Sequence, residues 1–226
     1  MPAENLLKIF NKLFSFYGPQ HWWPGDSPFE IAVGAILTQN TNWGNVEKAI
    51  KNLKDAKVLS AKALYELSVQ KLASLIRPAG YFNIKAKRLK AFIEFLVNDY
   101  SGSMKRMGKE DTESLRKKLL SINGIGPETA DSILLYALDK PVFVIDAYTR
   151  RVLSRHGIMD YNASYDDYQR VFHQELDEDV PLFNEFHALF VRVGKDFCRP
   201  KPECSGCPLN QNVPTPIASL TSSIVS

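Results

Sequence analysis

Apolar residues recur along most of the chain at three- and four-residue intervals, and strand-like alternation is nearly absent. Leu6, Leu7, Ile9, Phe10, Leu13 and Phe14 open the series. Glu4, Lys8 and Lys12 interrupt them with helical spacing, which predicts an amphipathic, folded helix rather than a targeting segment. The same periodicity predicts helices near 4–17, 28–38, 43–54, 60–66, 69–76, 84–100, 111–120, 128–138, 147–157, 165–177 and 182–196. Breakers fall between them at Gly18-Pro19, Pro24-Gly25, Pro78-Ala79-Gly80 and Gly124 to Pro127. The run Pro141-Val142-Phe143-Val144-Ile145 is β-prone but short and ends at an acid, so it reads as a buried extended connector between two helices. No repeat is visible. The segment from Pro214 is rich in Ser, Thr and Pro and is expected to be partly disordered. The expected fold class is all-α.

Composition changes this picture little. The chain has 226 residues, 45% hydrophobic and 23% charged, enough for one large core or two small ones. The formal net charge of +3 does not by itself argue for nucleic acid. Basic residues do cluster, five within Arg77–Lys90 and six within Lys105–Lys118, though solvated helix faces give the same pattern. No apolar stretch reaches the length of a transmembrane span. Cys198, Cys204 and Cys207 crowd into ten residues, which does not suggest a secreted disulfide framework. A cytoplasmic protein is expected (nucleoid-associated if bacterial), monomeric and without a membrane partner.

The most informative segment runs from Leu119 to Asp131. An apolar helix end leads into Gly124-Ile125-Gly126, and Pro127 suits the first position of the next helix. Glycines permit a tight turn and leave backbone amides unobstructed, and a helix start directs such amides outward as a phosphate site. An ordinary helix–helix turn remains an alternative. Asp146 follows the connector and precedes the helix that begins Ala147-Tyr148-Thr149-Arg150-Arg151, so its carboxylate can cap that helix. It could do nothing more.

The hairpin, the helix after it and Val144-Ile145-Asp146-Ala147-Tyr148 resemble the endonuclease III superfamily of helix-hairpin-helix DNA glycosylases, over about residues 5–208. The resemblance implies a two-lobed all-α fold with a DNA cleft between the lobes. Residues 28–138 would form the helical barrel lobe that carries the hairpin. Residues 1–27 with 139–210 would form a second lobe with a C-terminal cysteine loop, and 211–226 a flexible tail. It also implies that Gly124, Ile125, Gly126 and Thr129 contact DNA, that Asp146 is the catalytic carboxylate, and that Gln39 fills the gap left by a flipped nucleotide. Read from the residues alone, Gln39-Asn40-Thr41-Asn42 is an exposed loop.

Members that also cut the backbone carry a Schiff-base lysine four residues after the first hairpin glycine. Here Glu128 replaces it, so the resemblance implies a monofunctional enzyme. Trp22-Trp23-Pro24, the Gly34–Thr41 segment and the Arg77–Leu89 segment are similar to the 3-methyladenine glycosylase branch. That implies a base pocket of Trp22, Trp23, Pro24 and Trp43. A ring-methylated purine is cationic, so electron-rich rings attract it by about 1–2 kcal/mol when desolvated. It also leaves readily, and one ionised carboxylate suffices to stabilise an oxocarbenium-like sugar. A helix-capping Asp146 is expected to stay ionised. The base must leave the stack to be reached.

The superfamily often carries a [4Fe–4S] cluster on C-x6-C-x2-C-x5-C. This chain has Cys198-x5-Cys204-x2-Cys207, with Val213 where the fourth thiolate would fall. Three readings stand: a metal-free relic, an iron–sulfur cluster with a non-cysteine or solvent fourth ligand, and zinc on three thiolates and another group. Arg199 and Lys201 could touch phosphate. No cofactor is required for the chemistry. Rival functions are a bifunctional glycosylase/lyase for oxidised pyrimidines, a non-catalytic hairpin module binding DNA, and a scaffold for protein contacts. His156, His173 and His187 read as surface or satisfied core residues.

Overall fold

The computed structural model describes residues 2–210, with side chains from Leu6 onward. Among them there are helices and connectors and no strand. The helices are α1 (Pro2–Tyr17), α2 (Pro28–Leu37), α3 (Trp43–Asp55), α4 (Ala61–Glu66), α5 (Val69–Leu75), α6 (Phe82–Tyr100), α7 (Met104–Met107), α8 (Thr112–Ser121), α9 (Pro127–Ser132), α10 (Ala147–Arg155), α11 (Tyr165–Glu175) and α12 (Val180–Asp196). The segment from Pro214 and position 213 lie outside the described residues.

Side-chain caps fix many helix starts. Asn42, Ser60, Ser68, Asp111, Ser164 and Asp179 each accept a hydrogen bond from an amide in the first turn, and such caps contribute about 1 kcal/mol apiece. Three differences from the periodicity have local causes. The four-residue α7 is too short to register as a period. The helix expected at 84–100 begins at Phe82, because Gly80 and Tyr81 take left-handed turns at φ 68° and 45° and the helix starts at once after them. The helix expected at 128–138 is α-helical only to Ser132, then widens into a π-type turn over Ile133–Ala137.

The chain forms two compact units. One spans 23–140; the other joins the segment ending at Trp22 to the segment starting at Pro141. In the 23–140 unit, α2 is the central element: Ala32, Val33, Ala35, Ile36 and Leu37 are all buried. It packs on α3, α6, α9 and the π-type turn. The buried apolar stripe of α6, which also packs on α4 and α5, is Ala86, Leu89, Phe92, Ile93 and Leu96. Burying each large apolar side chain contributes about 1.5–3 kcal/mol.

In the other unit, α1 packs on α11 and α12, and α10 packs on α12. Phe143 from the connector stacks on Phe172, with centroids 3.6 Å apart, and Phe186 stacks on Phe190 at 4.6 Å. Val142, Phe143, Val144 and Ile145 are buried in backbone that is neither helix nor strand. Side chains of α11 meet the connector's polar groups instead. The amide of Phe143 donates to His173 Nε2 (3.2 Å), Gln169 Nε2 donates to the Phe143 carbonyl (2.8 Å), and the Ile145 amide donates to the Tyr165 hydroxyl (3.2 Å). This is how a β-prone run survives as a connector in an all-helical protein.

Candidate active site

The hairpin of the 23–140 unit turns at Gly124, whose φ of +87° favours glycine. Ile125 is buried and anchors the turn, its amide donating to the Ile122 carbonyl (3.0 Å). Gly126 caps α9, and Pro127 takes the first helical position. Gly126, Pro127 and Glu128 are exposed, and a Cβ on Gly126 would meet nothing within 4 Å. The turn therefore leaves a bare strip of backbone at a helix start. Behind it, Arg116 forks onto the fully buried Asp131, with Nε–Oδ1 2.7 Å and Nη2–Oδ2 3.0 Å, and ties α8 to α9.

Gln39 is not in the exposed position expected for its loop. Asn40 and Asn42 are exposed, but Gln39 is half-buried and turned onto the hairpin. Its Nε2 donates to the Gly124 carbonyl (3.0 Å) and to Thr129 Oγ1 (2.9 Å), while Oε1 accepts from Arg88 Nη1 (2.5 Å). Arg88 only donates and the Gly124 carbonyl only accepts, so the amide has one orientation that satisfies both. Beneath this network Lys85, 1% exposed, donates to the carbonyls of Leu37 (2.8 Å) and Ala79 (2.7 Å). Burial, and then the nearby Arg88 charge, pushes its ammonium down to about 8.

The aromatic set is divided between the units. Trp23 meets Trp43 edge-to-face at 5.2 Å and Tyr136 at 5.0 Å, and both tryptophans are half-buried. A Cβ on Gly34 would lie 3.4–3.6 Å from these two indoles, ordinary contact distance, so α2 passes directly against them at this point. Trp43 Nε1 donates to Glu47 Oε1 (2.8 Å). Pro24 is exposed in the loop that follows Trp23. Trp22 belongs to the other unit, where the Lys195 ammonium lies 5.8 Å from its ring centroid.

Asp146 caps α10, as its position before that helix predicted. Oδ1 accepts from the Thr149 amide at 2.7 Å, and the residue is 8% exposed. His187 Nε2, from α12, lies 3.5 Å from Oδ2. Burial pushes the carboxyl up, but the His187 imidazole and the Thr149 amide outweigh it and hold Asp146 below the usual aspartate range. His187 was read as a satisfied core residue. It is in the core, 4% exposed, but it is set against the candidate catalytic carboxylate. The signal was its place on the apolar stripe of Phe183, Phe186 and Phe190, where a polar ring needs a reason.

The cysteine loop follows α12 and is held by arginines that the sequence did not single out. Arg151 donates to the carbonyls of Cys198 (2.5 Å) and Gly194 (3.3 Å). Arg155 donates to Cys198 Sγ (3.4 Å) and to the carbonyls of Arg199 (2.6 Å) and Pro200 (3.0 Å). Arg199 turns back to the Asp196 carbonyl and Glu203 (3.1 Å). Cys198 is buried, Cys207 half-buried and Cys204 exposed. Among the described residues no group of three or more His, Cys, Asp or Glu is placed to hold a metal ion. A four-thiolate cluster does not fit this arrangement, because the chain has three cysteines and one of their sulfurs accepts from a guanidinium.

Residues 33–178 match the family model of the HhH-GPD superfamily base excision DNA repair proteins. The chain belongs to that superfamily. It is a DNA glycosylase, 49% identical over 210 residues to MJ1434 of Methanocaldococcus jannaschii, a protein named as a DNA repair glycosylase, with 92% of this chain and 95% of the relative covered. Among solved structures it resembles the Helicobacter pylori 3-methyladenine DNA glycosylase MagIII bound to 1,N6-ethenoadenine, with TM-score 0.74 and 32% identity over 86% of this chain and 97% of that one. A non-covalent endonuclease III–DNA complex shares the fold, with TM-score 0.78 and 19% identity over 91% and 92% of the two chains. No helix among the described residues is long and apolar enough to cross a membrane.

Proposed function

We propose that this HhH-GPD glycosylase is monofunctional and excises N-alkylated purines of the 3-methyladenine type, with Asp146 as its catalytic carboxylate. The observation that carries the substrate reading is the pair of half-buried indoles Trp23 and Trp43, with Trp23 lying against the buried ring of Tyr136. Electron-rich rings of this kind favour a cationic base over its neutral parent. The likeness to MagIII, at 32% identity over most of both chains, points the same way. Pro24 would complete the base pocket on this unit.

The chemistry follows from the residues. A base already carrying positive charge needs little acid catalysis to depart. An aspartate held below its usual range is ionised at neutral pH, and it stabilises positive charge on the sugar as the glycosidic bond breaks. Glu128, exposed on the first turn of α9, has no amine for a Schiff base, which supports base removal without strand scission. The backbone at Gly124 and Gly126 would hold a phosphate, the Ile125 amide (already donated to the Ile122 carbonyl) and Thr129 would fix the turn, and Gln39 would be delivered to the duplex from the hairpin side. The cysteine loop is read as structural, held by Arg151 and Arg155.

The test is base release from duplex DNA methylated at adenine N3, with undamaged duplex as control. Release of 3-methyladenine with strand scission only after alkali is expected. Scission without alkali overturns the monofunctional reading. No release overturns the substrate, and the assay then moves to oxidised pyrimidines and mismatches. Asp146→Asn is expected to bind the damaged duplex and release no base; full activity in that variant overturns the carboxylate's role.

A further inference from the structure

The two oxygens of Asp146 are held from different elements. Oδ1 is fixed by α10 through the Thr149 amide, and Oδ2 faces His187 of α12 at 3.5 Å. Both residues are buried, Asp146 at 8% exposure and His187 at 4%. Burial alone drives a carboxylate toward its neutral acid, which could not stabilise a cationic sugar. The helix cap answers part of that cost, at one oxygen only.

The approach of α12 to α10 is built for this meeting. His187 and Gly194 lie seven residues apart on α12, two turns along one face. At Gly194 the missing side chain admits the ring of Tyr148: a Cβ there would fall 2.4 Å from Tyr148 Cδ1. Tyr148 therefore seats α12 against α10, and His187 comes to the cap of α10 rather than to its flank. Among the described residues, the Tyr148 phenol faces Asp146 and, beyond it, the Arg151 guanidinium lies 5.1 Å from the Tyr148 ring centroid. On the connector side Phe143 presents an uncharged ring, its centroid 6.5 Å from that of His187.

We propose that His187 is a positioning residue for the glycosylase reaction: its Nε2–H holds Oδ2 of Asp146, keeping the buried carboxylate ionised and aimed. The inference rests on the reading of Asp146 as the catalytic carboxylate. It assigns His187 no contact with DNA and no proton transfer to the base.

The test is the pH dependence of single-turnover base release. In the wild type the acidic limb is expected below the usual aspartate range, since Asp146 is held there. His187→Phe keeps a ring of similar shape and removes the donor. Burial then dominates, and the acidic limb is expected to rise by about four pH units or more, with the rate at about pH 7 down roughly tenfold and recovering as pH rises. Binding of damaged duplex is expected to be unchanged. His187→Gln places an amide donor near the Nε2 position and is expected to restore most of the neutral-pH rate. A wild-type limb and rate in His187→Phe overturn the proposal. Should that variant not fold, nitrogen NMR of His187 in the wild type decides. A proton on Nε2 at neutral pH supports the proposal, and a bare Nε2 overturns it. Full activity in Asp146→Asn overturns the parent reading instead, so the two failures are distinguishable.

Discussion

Arg88 lies across Gly124 so closely that a Cβ on the glycine would fall 2.2 Å from Arg88 Cγ and 2.6 Å from Cδ. The same arginine holds Gln39, and Gln39 returns a hydrogen bond to the Gly124 carbonyl. The loop after α2, the start of α6 and the hairpin turn are thus closed into one ring of contacts. In this ring the glycine is required twice, for its φ of +87° and for the space above it.

The two hairpin glycines should accordingly respond differently to alanine. Gly124→Ala is expected to lower stability by about 2–4 kcal/mol, from left-handed backbone strain of about 1–2 kcal/mol and displacement of Arg88. Gly126→Ala adds a methyl to open space at φ −94° and is expected to leave the melting temperature nearly unchanged while weakening duplex binding. Thermal denaturation and a binding titration separate the two. Unaltered binding by Gly126→Ala would remove the bare backbone as a phosphate seat.

Gly194 makes a comparable demand in the other unit. Gly194→Ala puts a methyl 2.4 Å from Tyr148 Cδ1 and 2.9 Å from its Cβ. We expect α10 and α12 to be forced apart, with a loss of about 1–3 kcal/mol as for other overpacked cores. Base release should fall further than stability explains, because the Asp146–His187 separation opens. Denaturant unfolding beside single-turnover kinetics checks it.

Lys85 gives a prediction in pH. Its folded-state value of about 8 lies below the 10.5 of an exposed lysine. Between those two values the unfolded chain binds the extra proton, so the lysine's contribution to stability rises with pH across that window. Below it the charge is carried in both states at a constant cost. Relative to Lys85→Met, the wild type is therefore expected to gain stability as pH rises from about 8 to about 10.5, as seen in unfolding midpoints of both proteins. A flat difference across that window would mean that Lys85 is not shifted.

The arginine-held cysteine loop should depend on its guanidinium. Arg155→Ala removes donors to Cys198 Sγ and to the carbonyls of Arg199 and Pro200. A stability loss of about 1–3 kcal/mol is expected, as is faster modification of the buried Cys198 by a thiol reagent. Chelator treatment of the wild type is expected to leave the melting temperature unchanged. A melting temperature lowered by chelation, or iron-dependent visible absorption, would show that metal holds the loop.

Much of this protein is legible along the chain. The period of the apolar residues marks most of the helices, because each helix must present one continuous stripe to a core. The Gly-Ile-Gly-Pro order marks the hairpin, because backbone sterics restrict which residues can take those conformations. Asp146 announces itself as a cap because capping is local, decided within three residues. The tertiary structure alone decided which side chains stand behind these features. His187 is forty-one positions from Asp146, Arg88 is forty-nine from Gln39, and Arg155 is forty-three from Cys198. Nothing within a helical turn of any of them predicts its partner. Such pairings arise from how whole helices pack, through the missing side chain at Gly194 or the missing side chain at Gly124, whose place Arg88 takes. They are not local properties of any segment, and so the sequence pattern carries the elements while the packing carries the tuning of the site.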